Sequence, residues 1–596
     1  MRLSLLDWSV IAAYFLFNLG IGIYYARRAR GSTTEFFLSG RDVPWWLAGT
    51  SMVATTFAAD TPLAVTGFVA KNGIAGNWLW WNFVMSGMLT VFLYARLWRR
   101  AGVMTDIEFA ELRYSGKPAA FLRGFRALYL GLPINCIIMG WVNLAMVKIL
   151  EVTLGLDKRQ AVTVVVGILL FTAFYTTISG LWGVLVTDLF QFVLKMGMVI
   201  VLAVLAVRAV GGMDALKVKI TALDAQGGQT GSRLAFFPEF DSVWMPAITL
   251  FTYLAVNWWA SWYPGAEPGG GGYVAQRIFS ARDERHGLLA TLWFNIAHYA
   301  LRPWPWILTA LASLILYPDL VDKETGYIRT LMDPAVFPTY LRGFMLAAFA
   351  AAYMSTIGTQ LNWGASYVIN DFYRRFVKRD GGERHYVIAS QLVTVLLMIV
   401  SLIVTFYLES IGSAWKLLLV TGAGTGTVLL LRWFWWRINA WSEVSAMIAA
   451  AACSLFLQLK LKWDSDSPRD FAYLMLVTVG VTTVVWLAAT LMTSAEPMEK
   501  LVTFYRRVHP DGPGWSRVAV EAGEIRMSPG GSLAAQFGNW LLGCVLIYAF
   551  LFGSGYFIFG NWLKGAVLLV CGVIALTLIL RNLKRAGWDT IGDAQS

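Results

Sequence analysis

Apolar runs of about 20 residues recur from one end of this chain to the other, each long enough to cross a hydrocarbon layer of ~30 Å as a helix. They fall at 5–26, 44–70, 76–98, 120–150, 160–180, 184–211, 243–280, 287–316, 339–375, 386–408, 414–434, 438–460, 470–493, 536–557 and 561–580. That pattern predicts an all-α polytopic membrane protein of about fifteen helices. Composition agrees: 14% of residues are charged and 57% hydrophobic, against about a quarter charged in soluble chains. The net charge of +12 reads as loops facing anionic lipid rather than as a nucleic-acid surface. Cys136, Cys453, Cys544 and Cys571 all lie in apolar runs, without metal-ligand or paired spacing, and read as packing residues.

Orientation follows from the basic residues. Run 5–26 has only Arg2 before it and Arg27, Arg28 and Arg30 after it, the reverse of a cleaved signal peptide. It reads as a retained first span with its N-terminus outside. Counting spans from there puts A26-RRAR, R96-LWRR, Q276-RIFSARDER, Y373-RRFVKRDGGER, R432-WFWWR, Y505-RR and R581-NLKR on one face, the cytoplasmic one. Lys158-Arg159 and Lys460/Lys462 are exceptions. The C-terminus is then cytoplasmic too. Segment 494–535, with Pro510, Pro513 and Pro529, reads as a connector, too small and polar to be a soluble catalytic domain.

Two spans carry interruptions. The stretch W262-YPGAEPGGGGYVAQR holds two prolines and five glycines directly after an apolar run. Alone, it is also compatible with a flexible loop. Span 44–70 carries Asp60-Thr61-Pro62 near its middle, and a proline there removes a backbone donor and biases Thr61 away from helix. Irregular backbone at membrane depth must be buried in protein or line a cavity. The two interrupted spans open two groups of five helices, 44–211 and 243–436. Matched breaks of this kind point to an inverted-repeat secondary transporter with its site at the breaks. Free carbonyls there coordinate a cation, and half-helix N-termini face an anionic group.

Charged residues inside spans are costly and therefore candidates for function. They are Asp60, Asp188, Lys195 and Arg302. Helix capping is the plainer alternative for Asp188, and pairing or snorkelling for Lys195 and Arg302. Span 339–375 contains A350-AAYMSTIGTQLNWGAS, whose Ser355, Thr356 and Thr359 share overlapping helix faces. Such hydroxyls suit a hard cation, though Ser and Thr in membranes also bond the preceding turn or a neighbouring helix.

G40-RDVPWWLAGTSMVA, G180-LWGVLVTDLFQ, Q276-R277, A352-YMST with N370-DFY, and F434-WWRIN occur in this order on these spans. In them the chain resembles the sodium:solute symporter family, relatives of the sodium/sugar and sodium/sialic acid cotransporters, over roughly 5–460. The resemblance implies a LeuT-type five-plus-five inverted repeat with one leading and about four trailing helices. The corresponding division is 1–43, leading helix and cytoplasmic loop; 44–211, first repeat; 212–242, extracellular loop; 243–436, second repeat; and 437–596, accessory helices with the connector. It implies a principal sodium site from the carbonyls of Ala54, Phe57 and Ala352 with the hydroxyls of Ser355 and Thr356. A second sodium site would use Asp188, Ser355 and Thr359, but Gly358 replaces one hydroxyl expected there. In the pocket, Asp60, Thr61, Trp80, Asn82, Trp262, Tyr263, Glu267 and Arg302 fall at candidate substrate positions. Departures from the sugar transporters are marked: in L79-WWNF, Trp80 replaces an acid while Asn82 matches. Arg302 stands for a lysine and Gly422 for a glutamine, while Glu267 and Pro268 stand where an aromatic pair is usual. Either Trp262 and Tyr263 supply those aromatics, or the gate is built differently.

The expectation is a monomeric, multi-pass carrier in the cell membrane that moves a small polar solute with Na+, with neither nucleic acid nor enzymatic turnover involved. A sugar, sugar acid or related metabolite suits aromatic walls with Arg302; amino acid, polyol and nucleobase solutes stay open. The competing class is an integral-membrane enzyme acting on a lipid-linked substrate. Against it, the four histidines (His286, His298, His385, His509) have no metal-ligand spacing and the acids no catalytic pairing. A transporter-like sensor lacks an attached signalling domain.

Overall fold

The computed structural model describes residues 3–29, 31–226, 231–239, 245–263, 265–408, 411–523 and 532–586. Among them the only β-type pairing is an isolated bridge between Val43 and Ala281; the rest is helix and connection. Ten of the described helices are long and apolar enough to cross a membrane, twelve if each of two sharply bent pairs counts as one span. The shortfall from about fifteen comes from irregular spans, runs 243–280 and 287–316 being divided into short pieces, and from the continuity of runs 160–180 and 184–211. Those two expected runs are two helices within the 52-residue segment Lys158–Ala209, joined at Gly180, whose φ 58°, ψ −156° is non-helical.

Straight, such a helix would measure ~78 Å, more than twice the apolar layer. Instead it folds back. Phe171 and Phe190, one on each side of Gly180, meet Phe15 and Phe17 of the first helix, α1 (Leu5–Ala29), each pair with ring centroids 5.0 Å apart. Neighbouring rings on α1 touch both only if the chain reverses between them. Glycine is required at the turn: its φ is left-handed, and a Cβ would lie 2.9 Å from the Phe36 carbonyl.

The first interrupted span is α2 (Trp45–Thr56) and α3 (Asp60–Asn72), bent by 56°. The break is Phe57–Ala59, three residues before the Asp60–Pro62 expected from sequence. Pro62 lies in the first turn of α3, where a missing N–H goes unnoticed and the fixed φ suits a helix start. It marks where the second half begins. The helix Lys158–Ala209 follows as α4.

The second break separates Trp258–Ala260 from α5 (Gly272–Ser280); Pro264 lies outside the described residues. Gly265, Gly269, Gly270 and Gly272 all have positive φ, so the loop turns repeatedly in a conformation other residues resist. A third bend, of 58°, divides the expected continuous run 414–434 between Ala414–Thr421 and Thr425–Leu431. The cause is local: T421-GAGTGT supplies Gly424 at φ +90°, and its N–H donates to Ala260 O at 2.9 Å, at the mouth of the second break.

The hydroxyl-bearing run is α6 (Arg342–Ser366). Four helices trail the core: Ala440–Leu459, Pro468–Met492, Leu533–Ile558 and Trp562–Arg585. The connector is more structured than its composition suggests. Helix Met498–Val508 precedes Trp515, which is buried, stacks on Phe504 and donates to Trp433 O at 2.7 Å.

Candidate functional site

Ending α2 at Thr56 leaves Thr55 O and Phe57 O without helical donors, while Val53 O and Ala54 O share the Phe57 N–H. Side chains from elsewhere in the bundle bond all four. Thr356 Oγ1 of α6 donates to Thr55 O at 2.7 Å and to Ala352 O at 3.2 Å. Arg302 Nη1 donates to Val53 O at 3.1 Å and to Thr56 Oγ1 at 3.0 Å. Lys195 Nζ, from the second arm of α4, donates to Ala54 O at 2.8 Å and to Phe57 O at 3.2 Å. Of the five residues expected at the principal ion site, Ala54 and Phe57 share the Lys195 ammonium, Thr356 bonds Ala352 O, and Ser355 turns to Asp188.

Beside them lies a second cluster. Asp188 accepts from Ser355 Oγ on one oxygen and from Ser51 Oγ on the other, both at 2.5 Å. Arg277 of α5 donates to Ser51 Oγ at 3.2 Å and to Thr359 Oγ1 at 2.8 Å, and Thr359 also meets Thr55 Oγ1 at 3.0 Å. Asp188 thus faces both Arg277 and Lys195. Of the second-site residues, Asp188 and Ser355 are bonded to each other, while Thr359 is held by Arg277. Where Gly358 replaces a hydroxyl residue, the space beside its Cα is filled by hydroxyls from α4: a Cβ would lie 3.1 Å from Thr176 Oγ1 and 3.2 Å from Tyr175 Oη.

The break also walls a small cavity of about 60 Å³, room for about two waters at ~30 Å³ each. Asp60, Thr61, Trp80, Tyr263 and Arg302 line it, as expected of substrate positions. Asp60 Oδ1 has no hydrogen-bond partner among the described residues. Trp80 stacks on Tyr299 with centroids 5.8 Å apart, and Tyr263 stacks on Phe83 at 5.1 Å. Sequence reasoning missed Tyr273, His298, Tyr299, Gln360 and Trp415 here. His298 was legible, four residues before Arg302 in H298-YALRPWPW; its ring bonds Arg302 and meets Thr56 Oγ1 at 2.9 Å.

Three other candidates lie elsewhere. Asn82 caps Trp78 O and Leu79 O and accepts from Asn257, tying its span to the second broken helix. Trp262 faces a separate, mostly apolar cavity of about 400 Å³ with Gly422 and Leu418. Glu267 is buried in the glycine turn, close to Gly271 and Gly272. Of the two aromatics considered for the gate, only Tyr263 reaches the small cavity.

On one side, Trp415 separates this cavity from a vestibule of about 740 Å³: it lines the former, Phe68 lines the latter, and their rings are 5.9 Å apart. Lys148 crosses the vestibule wall to Asp322 at 3.1 Å and Glu324 at 2.7 Å. Around the N370-DFY motif the contacts are denser. Asp371 accepts from Arg123 at 2.9 Å and Thr105 at 2.6 Å, Arg123 pairs with Glu111 at 2.7 Å, and Tyr367 bonds Asp106. Asp106 also accepts from Gly272 N at 3.3 Å.

A helical membrane bundle with broken helices whose orphaned carbonyls meet a hydroxyl-bearing neighbour, around an enclosed polar and aromatic cavity, defines a secondary transporter of the LeuT type. The model of the sodium:solute symporter family matches residues 36–450, and the chain belongs to that family. Among curated proteins it is 24% identical over 520 residues to a sodium/glucose cotransporter of Vibrio parahaemolyticus, covering 83% of this chain and 91% of that one. It is 25% identical to sodium/glucose cotransporter 1 of Oryctolagus cuniculus, covering 73% and 69%. A solved Na+-coupled sialic acid symporter, in a substrate-bound outward-open state, matches in fold. Its TM-score is 0.65 at 18% identity, with coverage of 83% of this chain and 99% of that chain. The family is one of transporters, and its coupling ion is sodium.

Proposed function

We propose that the chain carries a small polar solute of the sugar class across the membrane with Na+, by alternating access and without covalent turnover of the solute. The observation that carries this is the enclosed cavity at the first break. Asp60 presents an unpartnered carboxylate oxygen, Arg302 lines the same wall, and Trp80 and Tyr263 offer aromatic faces. A solute rich in hydroxyls satisfies the acid and the base together. A carboxylate-bearing solute fits less well, because Asp60 already sits at the positive end of α3. The cavity holds far less than the ~300 Å³ usual for a ligand, so entry requires Trp415 and Phe68 to part, which supports a gate on the vestibule side.

In this reading Na+ binds where α2 ends, with Ala54, Phe57, Ala352, Ser355 and Thr356 as its ligands and Asp188, Ser355 and Thr359 as a second set. Ion and solute then raise each other's affinity by one factor, and each inward charge adds about 2.3 kcal/mol per 100 mV. The repeats are 44–211 and 243–436. The chain works as a monomer, independent of nucleic acid, with its N-terminus outside and its C-terminus in the cytoplasm. The test is uptake of labelled sugars, sugar acids, polyols and amino acids into proteoliposomes with and without an inward sodium gradient. Sodium-driven uptake of a sugar is expected. Uptake of none of them, alongside turnover of a lipid-linked substrate, would sink the reading.

A further inference from the structure

Two of the three carbonyls that the family pattern gives to Na+ already hold a cation. The Lys195 side chain is 1% exposed, and its ammonium bonds Ala54 O and Phe57 O while lying 5.1 Å from the centroid of the Phe57 ring. Lys195 stands two turns beyond Asp188 on α4, a spacing that puts both on one face. The charged groups that face it are Asp188 and Arg302, which bonds Val53 O at the same end of α2; Arg277 faces Asp188. Two cations around Asp188 leave an excess of one positive charge. An ion added to the same oxygens would raise that excess with no acid to match, at a separation where like charges in a dry interior repel strongly.

The surroundings also fix where the ammonium goes when it leaves. The void beside the Lys195 stem is about 10 Å³ and is lined by Phe57, Pro62, Val199, Met345, Phe349 and two alanines, with no side-chain oxygen or nitrogen among them. Asp188 is the acceptor within reach of the same side chain. Its two oxygens each accept one hydroxyl, from Ser51 and Ser355, which leaves lone pairs for an arriving ammonium.

We propose that Lys195 is a tethered cation that holds the sodium position at the end of α2, and that its ammonium and Na+ occupy the Ala54 and Phe57 carbonyls in turn. The proposal rests on the sodium-coupled reading above. Lys195 is then a positioning residue: it ties α2 to α4 in the closed state, and the ion replaces that tie. The probe is Na+ itself, read as the half-saturating concentration for solute uptake in proteoliposomes. Lys195→Met should lower it by ~10-fold or more, because the competing charge is gone, whereas Lys195→Arg, which keeps the charge, should not. An unchanged half-saturation in an active Lys195→Met protein overturns the proposal and leaves sodium coupling standing. Uptake that ignores Na+ in the native chain but follows it in Lys195→Met upholds the tethered cation and overturns sodium coupling of the native protein. If Lys195→Met does not fold, the native protein decides by cryo-EM in saturating Na+ against K+. The ammonium should leave Ala54 O only in Na+, and finding it there in both salts overturns the exchange.

Discussion

The first and second breaks solve one problem in opposite ways. At Phe57–Ala59 three residues leave the helix, and the freed carbonyls are met by long side chains from elsewhere: Lys195, Arg302 and Thr356. At Ser261–Gly271 the loop adds backbone bonds of its own to those from outside, among them one from Ser86 Oγ, which donates to Ala266 O at 3.2 Å. Gly270 N donates to Glu267 O at 2.8 Å and Ala266 N to Tyr263 O at 3.0 Å, with help from Trp98 Nε1 to Gly269 O at 2.7 Å. A break closed by movable side chains can exchange them for a ligand, whereas one closed by backbone geometry is fixed once folded. On the proposed function, the short break is where ion and solute act, and the long one is a shaped support.

The largest effect expected of that contrast comes from Asp188→Ala. It strands Arg277 and Lys195 in a buried site without their acid, which costs about 3–5 kcal/mol. Most of the protein should be lost from the monodisperse peak in detergent, with a clearly lower melting temperature in what remains. A melting temperature equal to that of the native chain would mean that the side chains around the first break are not coupled through this acid.

Next come the two substitutions that test the short break as the working one. Ser355→Ala removes a hydroxyl proposed to bond the ion, and a hydrogen-bonding group's contact with a charge is worth about 1.5–3 kcal/mol. Half-saturating Na+ should rise ~10- to 100-fold by the corresponding arithmetic; unchanged uptake and unchanged sodium dependence would remove Ser355 from the ion site. Asp60→Asn should weaken solute binding by ~10-fold or more, through loss of charge-assisted bonds, while half-saturating Na+ moves less. Isothermal titration with the transported solute reads the first quantity, and an Asp60→Asn protein that binds as tightly as the native one contradicts the cavity assignment.

Gly270→Ala tests the other side of the contrast. The residue has φ +81°, and a Cβ would sit 2.8 Å from Thr90 Cγ2. Left-handed backbone costs a non-glycine residue about 1–2 kcal/mol. The melting temperature should fall by a few degrees with half-saturating Na+ unchanged. A shift in sodium dependence without a loss of stability would show that the long break moves with the ion.

Legibility ran opposite to importance. The long break is loud in sequence because fixed turns need glycine, and W262-YPGAEPGGGG spells them out. The short break is quiet: its one signal, Pro62, marks the start of α3 and so misplaces the break by three residues. The third bend was missed because T421-GAGTGT contains no proline or charge, whereas the reversal at Gly180 was legible as the turn between runs 160–180 and 184–211. The proposed ion ligands Ser355 and Thr356 were legible from helical spacing together with family pattern. That Lys195 would sit on Ala54 O was not, because a lysine's reach depends on the register between α4 and α2, which is set by packing across 141 residues of chain.

The smallest effect belongs to the support of the long break. Gly272 N bonds Asp106, and the same short segment carries Glu111, which accepts from Arg123 at 2.7 Å and from Arg375 at 3.0 Å. Partial burial pushes the Glu111 carboxyl up, but the bonds from Arg375 and Arg123 outweigh it and hold the group below its ordinary value of 4.5. A carboxylate whose pKa is lower in the folded state stabilises the fold above its unfolded value, and that contribution disappears as the pH falls through the lower folded value. Stability should therefore be level from neutral pH down to about 5 as far as this group is concerned, and should decline below 4.5. Glu111→Gln removes the titration, so its melting temperature should lie slightly below the native one at pH 7, with the gap closing as the medium is acidified through that window. A gap that stays constant from pH 7 to pH 3.5 would show that Arg123 and Arg375 hold the segment through Asp371 and the backbone alone.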